Sequence, residues 1–370
     1  MSSNPDSKRS PLGRRIHLDT ATPLKISATA RHTCRMCASG CRNYDIMLTE
    51  AEVRRLSLNI WRPLLHEVPE TLPLVLFDNV TGQHLLNKVE GRCVFLDSDD
   101  LCIIHKSSGA EDKPVACQFF PLHAIGSPAG IHISLNTGCR RLVEMTDQDD
   151  PLSPADATRL LAQVEAITTI PDVMPLTPEQ MIPYTEFVDW QNRLRDILTV
   201  PDANYWPRMQ AAAELLLTIP GDSAPLEWTS LFAALHKLIG GLHPERPSAA
   251  VLFARTQRWL PALLTNPVPP EIPFAYGPFY AAIAGQYLEG HQAALHRTAR
   301  TGWVALLAAL VAGIGGTVHL MSNSPDATIN IPHTLNNTLS DALELFFAPA
   351  GQLALTEPNQ DAFLRGLLKS

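Results

Sequence analysis

Cysteine is scarce in this chain, seven in 370 residues, yet Cys34, Cys37 and Cys41 stand together within TARHTCRMCASGCRN, residues 29–43. Cys93, Cys102, Cys117 and Cys139 continue the series, and no cysteine follows Cys139. A C-x2-C gap lets the backbone wrap one centre with both sulfurs pointing inward, and thiolates suit soft or borderline centres such as zinc and iron–sulfur clusters. The remaining ligands can come from distant segments, because closing a long loop costs only slightly more than closing a short one. Cysteine also serves as a small apolar core residue. Residues chosen for packing alone, however, would not crowd one end of the chain. A further chemistry is thiol exchange between Cys34 and Cys37, with Arg35 and Arg42 near enough in sequence to favour a thiolate. The usual context for that is a C-x-x-C opening a helix after a core strand, and the residues ahead of Cys34 do not read as one.

The polar first thirty residues bear on the choice. No apolar run follows the Arg14-Arg15 pair, as a secretory or twin-arginine signal would need, so a reducing, cytoplasmic setting is expected. There a cysteine cluster holds metal or does redox chemistry rather than forming structural disulfides, and the odd count agrees. A net charge of −8 gives no general attraction to phosphate backbones, so nucleic acid is not expected as a partner. Residues 303–320, WVALLAALVAGIGGTVHL, run uncharged to His319 behind Arg297 and Arg300. The run sits just below the length needed to span a bilayer and contains three glycines, so a buried core helix is expected, with membrane contact as the alternative.

The elements that must position the cysteines make an α+β chain: a small loop-rich cysteine-cluster domain followed by an irregular all-α domain. The boundaries read as a flexible N-terminal segment at 1–30, the metal-binding domain at 31–145 and a mainly α-helical domain at 151–370. The turn-rich TDQDDPLSP (146–154) lies between the last two. TEAEVRRLSLNIWRPLL (49–65) predicts a helix with Thr49 as N-cap and Glu52 completing a capping box. CVFLDSDDLCIIH (93–105) predicts two short strands about an Asp-rich turn, and residues 119–139 a hairpin turning at Ser127 to Gly130. Beyond the boundary, helical spacing aligns Leu160, Leu161, Val164 and Ile167. It also aligns Phe187, Trp190, Leu194, Ile197 and Leu198, then Leu231, Leu235 and Leu238, and finally Leu335, Leu339, Leu343 and Phe346.

The ordered elements C-x-F-L, C-x-I-H, K-P-x-x-C and F-P are carried by Cys93, Phe95, Leu96, Cys102, Ile104, His105, Lys113, Pro114, Cys117, Phe120 and Pro121. With the C-x2-C-x3-C start and a cysteine twenty-odd residues on, residues 30–140 resemble the cysteine-cluster family labelled YkgJ, whose relatives include the flagellin lysine-N-methylases. The resemblance implies a module that coordinates zinc or an iron–sulfur cluster such as 4Fe-4S. Members of that family often begin C-x2-C-x2-C-C and carry eight cysteines; here Gly40 holds the place of the first cysteine of the doublet. Seven thiolates complete one four-cysteine site and leave three, which would need a histidine, a carboxylate or a water. His32, His105 and His123 each lie within six residues of a cysteine. Cys34, Cys37 and Cys41 are expected to act together, completed by one of the later four.

Three function classes follow. A metalloprotein could use its centre for structure or electron transfer, with the helical domain as a docking surface for a redox partner. A relative of the lysine-N-methylases would place S-adenosylmethionine and a protein lysine substrate beside an iron–sulfur cluster, an implication of resemblance alone. No glycine-rich strand-to-helix turn of the G-x-G-x-x-G type supports it, and the GIGG at 313–316 reads as helix packing. A thiol redox protein is the third class. The metalloprotein reading is preferred, because a small loop-rich domain gains folding free energy from bound metal.

Overall fold

The computed structural model describes residues 22–28, 30–31, 37–79, 82–136, 139, 150–164, 167–200, 205–221, 229–239, 247–265, 277–322, 331–347 and 349–369. Its class is α+β, with small sheets in the first half and helices dominating the second.

In the first half the chain runs β1 (Leu24–Ile26), α1 (Ser39–Asn43), β2 (Met47–Leu48), α2 (Glu50–Leu56), β3 (Val75–Asp78), β4 (Gln83–Leu86), β5 (Lys88–Val89) and β6 (Arg92–Cys93). It continues through α3 (Ile103–Ser108), α4 (Val115–Phe119), β7 (Leu122–Ser127) and β8 (Gly130–Leu135). The capping box at Thr49 is present: Glu52 N donates to Thr49 Oγ1 at 3.3 Å, and Thr49 N donates to Glu52 Oε2 at 2.8 Å. The helix it starts is shorter than the sequence predicts. It ends at Leu56, and Asn59–Leu64 tighten into a 3-10 turn around Pro63, which has no N–H to continue an α-helical ladder.

The hairpin at 119–139 forms as predicted, with β7 and β8 paired antiparallel from Leu122↔Leu135 to Ser127↔Gly130. Gly130 takes φ +126, and a Cβ there would drive into the Pro23 carbonyl, so the turn requires glycine. The prediction of two strands at 93–105 needs correction. Only Arg92–Cys93 and a single Leu96↔Cys102 bridge are extended, and Ile103 opens α3. The Asp97 carboxylate closes the turn by accepting from the Asp99 and Leu101 amides at 3.0 and 2.9 Å, which leaves Cys102 as the N-cap of the helix.

The second half runs α5 (Pro154–Leu161), β9 (Thr168–Thr169), β10 (Val173–Pro175), β11 (Met181–Pro183), α6 (Tyr184–Leu198), α7 (Trp206–Leu217), α8 (Ser230–Ile239), α9 (Pro247–Thr256) and α10 (Ala262–Thr265). It closes with α11 (Gly277–Glu289), α12 (Ala299–Ser322), α13 (Ile331–Phe347), α14 (Pro349–Ala354) and α15 (Glu357–Lys369). The predicted faces are buried: Phe187, Leu194 and Leu198 on α6, Leu231 and Leu235 on α8, and Leu335, Leu339, Leu343 and Phe346 on α13. The face expected to continue through Val164 and Ile167 stops short, since α5 ends at Leu161.

A four-stranded sheet, in the order β1-β8-β7-β9, joins strands from separate parts of the chain. Leu24–Ile26, inside the segment expected to be flexible, runs parallel to β8, and β9, from beyond the turn-rich 146–154, runs parallel to β7. Helix α11 packs on this sheet, and Gln286 Oε1 accepts from the Leu135 amide at 2.8 Å.

The apolar run at 303–320 lies in α12. That helix is long and apolar enough to cross a membrane, yet 83% of its apolar window is buried inside the protein. A Cβ on Gly313 would come within 2.9 Å of Leu339, and one on Gly316 within 3.1 Å of Trp259, so the glycines are there for close helix packing. Arg300 at the same helix is buried and paired with Asp361 of α15.

Between sheet and helices lies a buried polar group. The His132 and His291 rings stack with centroids 3.7 Å apart, and the Tyr184 hydroxyl stands 3.2 Å from His132 Nε2 and 3.0 Å from His291 Nε2. Burial holds His132 down at about 4, helped by Lys25, and His291 at about 3, helped by His132. Both are therefore neutral in the fold and basic again, near 6.5, once unfolded. Their native pairing is fully favourable above pH 6.5 and is lost as pH falls toward 4 and 3, because the unfolded chain takes up protons that the folded one refuses. Stability in urea should fall over that window by up to about 1.4 kcal/mol per pH unit for each histidine. A His291→Gln variant, measured by urea melts from pH 7 to 4, should show a shallower fall.

Candidate metal centre

A second, smaller core sits within residues 46–104, built on Leu56, Trp61, Val94, Phe95, Leu96 and Ile104, and the cysteines gather at its edge. Cys93 is buried in it, while Cys41, Cys102 and Cys117 pack against it. Each comes from a different element: Cys41 from α1, Cys93 from β6, Cys102 from the N-cap of α3 and Cys117 from α4. Cys37 lies just ahead of α1. None of the six described cysteines, Cys139 included, is in a disulfide.

Two clamps set these positions. Glu52 is buried, and besides closing the capping box its Oε1 accepts from the Val115 amide at 2.7 Å, the first N–H of the helix that carries Cys117. One carboxylate thus satisfies the N-termini of α2 and α4 together. Arg42, next to Cys41, reaches Asp100 in the turn ahead of Cys102, and Arg92 donates to the same carboxylate at 3.1 Å.

The thiols feel one another. Burial pushes Cys93 up to about 12, and the charge of Cys41 adds to it. Cys41 is pushed up to about 11 by burial, then by Cys102 and Cys37. Burial lifts Cys117 well above the ordinary thiol range, with Cys93, Cys41 and Cys102 reinforcing it. Lys88 opposes these shifts at Cys41 and Cys93, and Lys113 does so at Cys41 and Cys117. Among the described residues, no three His, Cys, Asp or Glu side chains close around a point as a bound ion requires. The two findings are compatible, since charges interact across far more than the ~2.3 Å of a zinc–sulfur bond. The donor set fits zinc or iron: thiols drawn from separated segments, four of them in or against a small apolar core.

The remaining candidates are placed as follows. Cys34 and His32 lie outside the described residues. Cys139 is buried against the larger core, with Ala30 and Leu122. His105 is exposed on α3. His123 Nδ1 is buried without a hydrogen-bond partner among the described residues, and burial lowers the ring to about 4, so it is a neutral imidazole. Gly40 faces Phe120, whose ring would lie 3.2 Å from an added Cβ.

The cysteine-bearing region has a counterpart among known families. Residues 33–140 match the family model CxxCxxCC, described as "Putative zinc- or iron-chelating domain". The match begins one residue before Cys34 and ends one after Cys139. It is consistent with the cysteine-cluster resemblance read from the motifs, and it assigns zinc or iron chelation to this region; nothing in it concerns methylation or S-adenosylmethionine. No curated protein and no solved structure matches the chain. Against the CxxCxxCC pattern this chain reads CRMCASGC at 34–41, so the position under Phe120 is the one where the pattern has its third cysteine.

Motif reading found the cysteines but not Lys88 or the reach of Glu52 to Val115, because neither has a local sequence signature. A Glu52→Ala variant loses the capping box and the α4 amide bond together. It should be destabilised by about 2–3 kcal/mol in chemical denaturation, against about 1 kcal/mol for Thr49→Ala, which removes one cap alone.

Proposed function

We propose that the chain is a metalloprotein in which thiolates drawn from Cys34, Cys37, Cys41, Cys93, Cys102, Cys117 and Cys139 hold zinc or an iron–sulfur cluster as a structural centre. The observation that carries this is the approach of thiols from scattered segments: Cys41, Cys93 and Cys117 are each pushed up by burial first and then by neighbouring cysteines, Cys102 among them at all three. Such a group is poorly suited to being charged on its own. A bound metal supplies the positive charge that lets it ionise.

A structural role agrees with the surroundings. The core beside the cysteines is small, and its α1, α3 and α4 are five, six and five residues long, too short to stand without tertiary support. Metal bound across them would tie β6, α1, α3 and α4 into one unit. Among the histidines close in sequence to a cysteine, His123 is a neutral imidazole whose Nδ1 has no hydrogen-bond partner among the described residues, so its chemistry suits a ligand. The reducing interior of a cell would keep the thiols available.

Anaerobic purification with metal and sulfide analysis tests the reading. A brown protein with iron and acid-labile sulfide identifies a cluster, and a colourless one with zinc identifies a single-ion site. Cys41→Ser and Cys117→Ser should each lower metal content and lower the melting temperature. Metal should bind more tightly as pH rises, since each ligating thiol gives up a proton. Wild-type protein that takes up neither metal, and melts unchanged in the presence of a chelator, would overturn the proposal.

A further inference from the structure

Lys88 is a cation in a place that ordinarily excludes one. Its side chain is 2% exposed, and burying an ammonium costs several kcal/mol unless opposite charge surrounds it. The visible compensation is thin: Nζ stands 3.6 Å from Asp45 Oδ1 and donates to the Arg42 carbonyl at 3.2 Å. Asp45 keeps a fifth of its own side chain in solvent. The next negative contributions, from Cys93 and then Glu344 of α13, act only through space.

What lies around the ammonium explains its position. Lys88 is the register partner of Cys93 in the β5–β6 pair, and the carbonyl it binds belongs to the residue directly after Cys41. The backbone at this point is fixed, because Lys88 N donates to Asn87 Oδ1 at 2.7 Å and Asn87 Nδ2 donates to the Pro73 carbonyl at 2.7 Å. The side chain therefore links β5, the strand paired with the one bearing Cys93, to the helix bearing Cys41. Four thiolates on a divalent ion, or on a cluster carrying two positive charges, leave a surplus of two negative charges in an apolar core. A buried ammonium that acts electrostatically on both Cys41 and Cys93 offsets part of it.

We propose that Lys88 is the counter-cation of the cysteine centre, a positioning residue that balances the surplus charge of the thiolates and links the backbone beside Cys41 to that beside Cys93. This rests on the metal-centre reading above. The charge is supplied by the protein in advance, and Asp45 offsets part of it as long as the sulfurs stay protonated.

Zinc affinity of the full chain, measured by competition with a chromogenic chelator at fixed pH, tests this in wild type, Lys88→Met, Lys88→Arg and Asp45→Asn. Lys88→Met should bind zinc with unchanged stoichiometry but about 10–100-fold more weakly, the size expected for an outer partner of metal ligands. Lys88→Arg should recover most of that loss. Asp45→Asn should bind as tightly as wild type or more tightly, because it frees the ammonium to face the thiolates. A plain structural ion pair makes the opposite forecast, equal weakening by Lys88→Met and Asp45→Asn, and that result overturns the inference. So does a Lys88→Met affinity equal to wild type while wild type binds zinc. Should Lys88→Met fail to fold, the sign of the Asp45→Asn effect decides, weaker binding counting against. A wild-type chain that binds neither zinc nor iron overturns the metal-centre reading itself, and this inference with it.

Discussion

Sulfur brought together out of water cannot carry charge unaided. Each thiolate in the small core would pay for burial and for its neighbours, which is why Cys41 and Cys93 are lifted to about 11 and about 12. The local architecture is arranged around that constraint. Apolar residues such as Val94, Phe95 and Ile104 keep water away from one side, Lys88 and Lys113 bring positive charge, and the elements carrying sulfur are short enough to depend on whatever joins them. With protons on the sulfurs the group is a set of inert thiols. With the proposed metal among them the same residues would form an anionic cage.

The support for that cage reaches into the second half. Helix α1, which carries Cys41, packs against α9, and α9 is tied to α13 by Arg255, which meets both Asp341 and Glu344. Glu344 in turn contributes to the potential at Lys88. The helical half thus supplies a fixed wall beside the cysteine helix. Its own interior is organised by a different device, an apolar α12 gripped at glycines and anchored by the buried Arg300–Asp361 pair.

Features written in local patterns were legible in the sequence. The crowding of Cys34, Cys37 and Cys41, the Thr49–Glu52 capping box, the hairpin from Leu122 to Leu135 and the faces of α6, α8 and α13 each depend on residues a few positions apart. Features that arise from distant contacts were not. Ile103 follows an Asp-rich turn and looks extended by composition, but Asp97 folds the turn back and the chain becomes helical. Lys88 carries no local signature, and only the approach of Asp45 and the Arg42 carbonyl shows that it is enclosed. Leu24–Ile26 stand in a polar stretch and become a strand because β8 offers them a partner. Cys34 and His32 fall outside the described residues, so the C-x2-C pair is seen from the Cys37 side alone.

The mixed sheet binds the whole arrangement in a way that linear order conceals. β1 precedes the cysteines, β7 and β8 lie among them and β9 comes after, yet all four are neighbours across one ladder. A break anywhere between would strip a border strand from β7 or β8 and bare a row of amides ready to pair with foreign chains. The cysteine segment is therefore less a bead on a string than a loop drawn out of a seam, and losing either end of that seam would trade a folded protein for one prone to stick to its own copies.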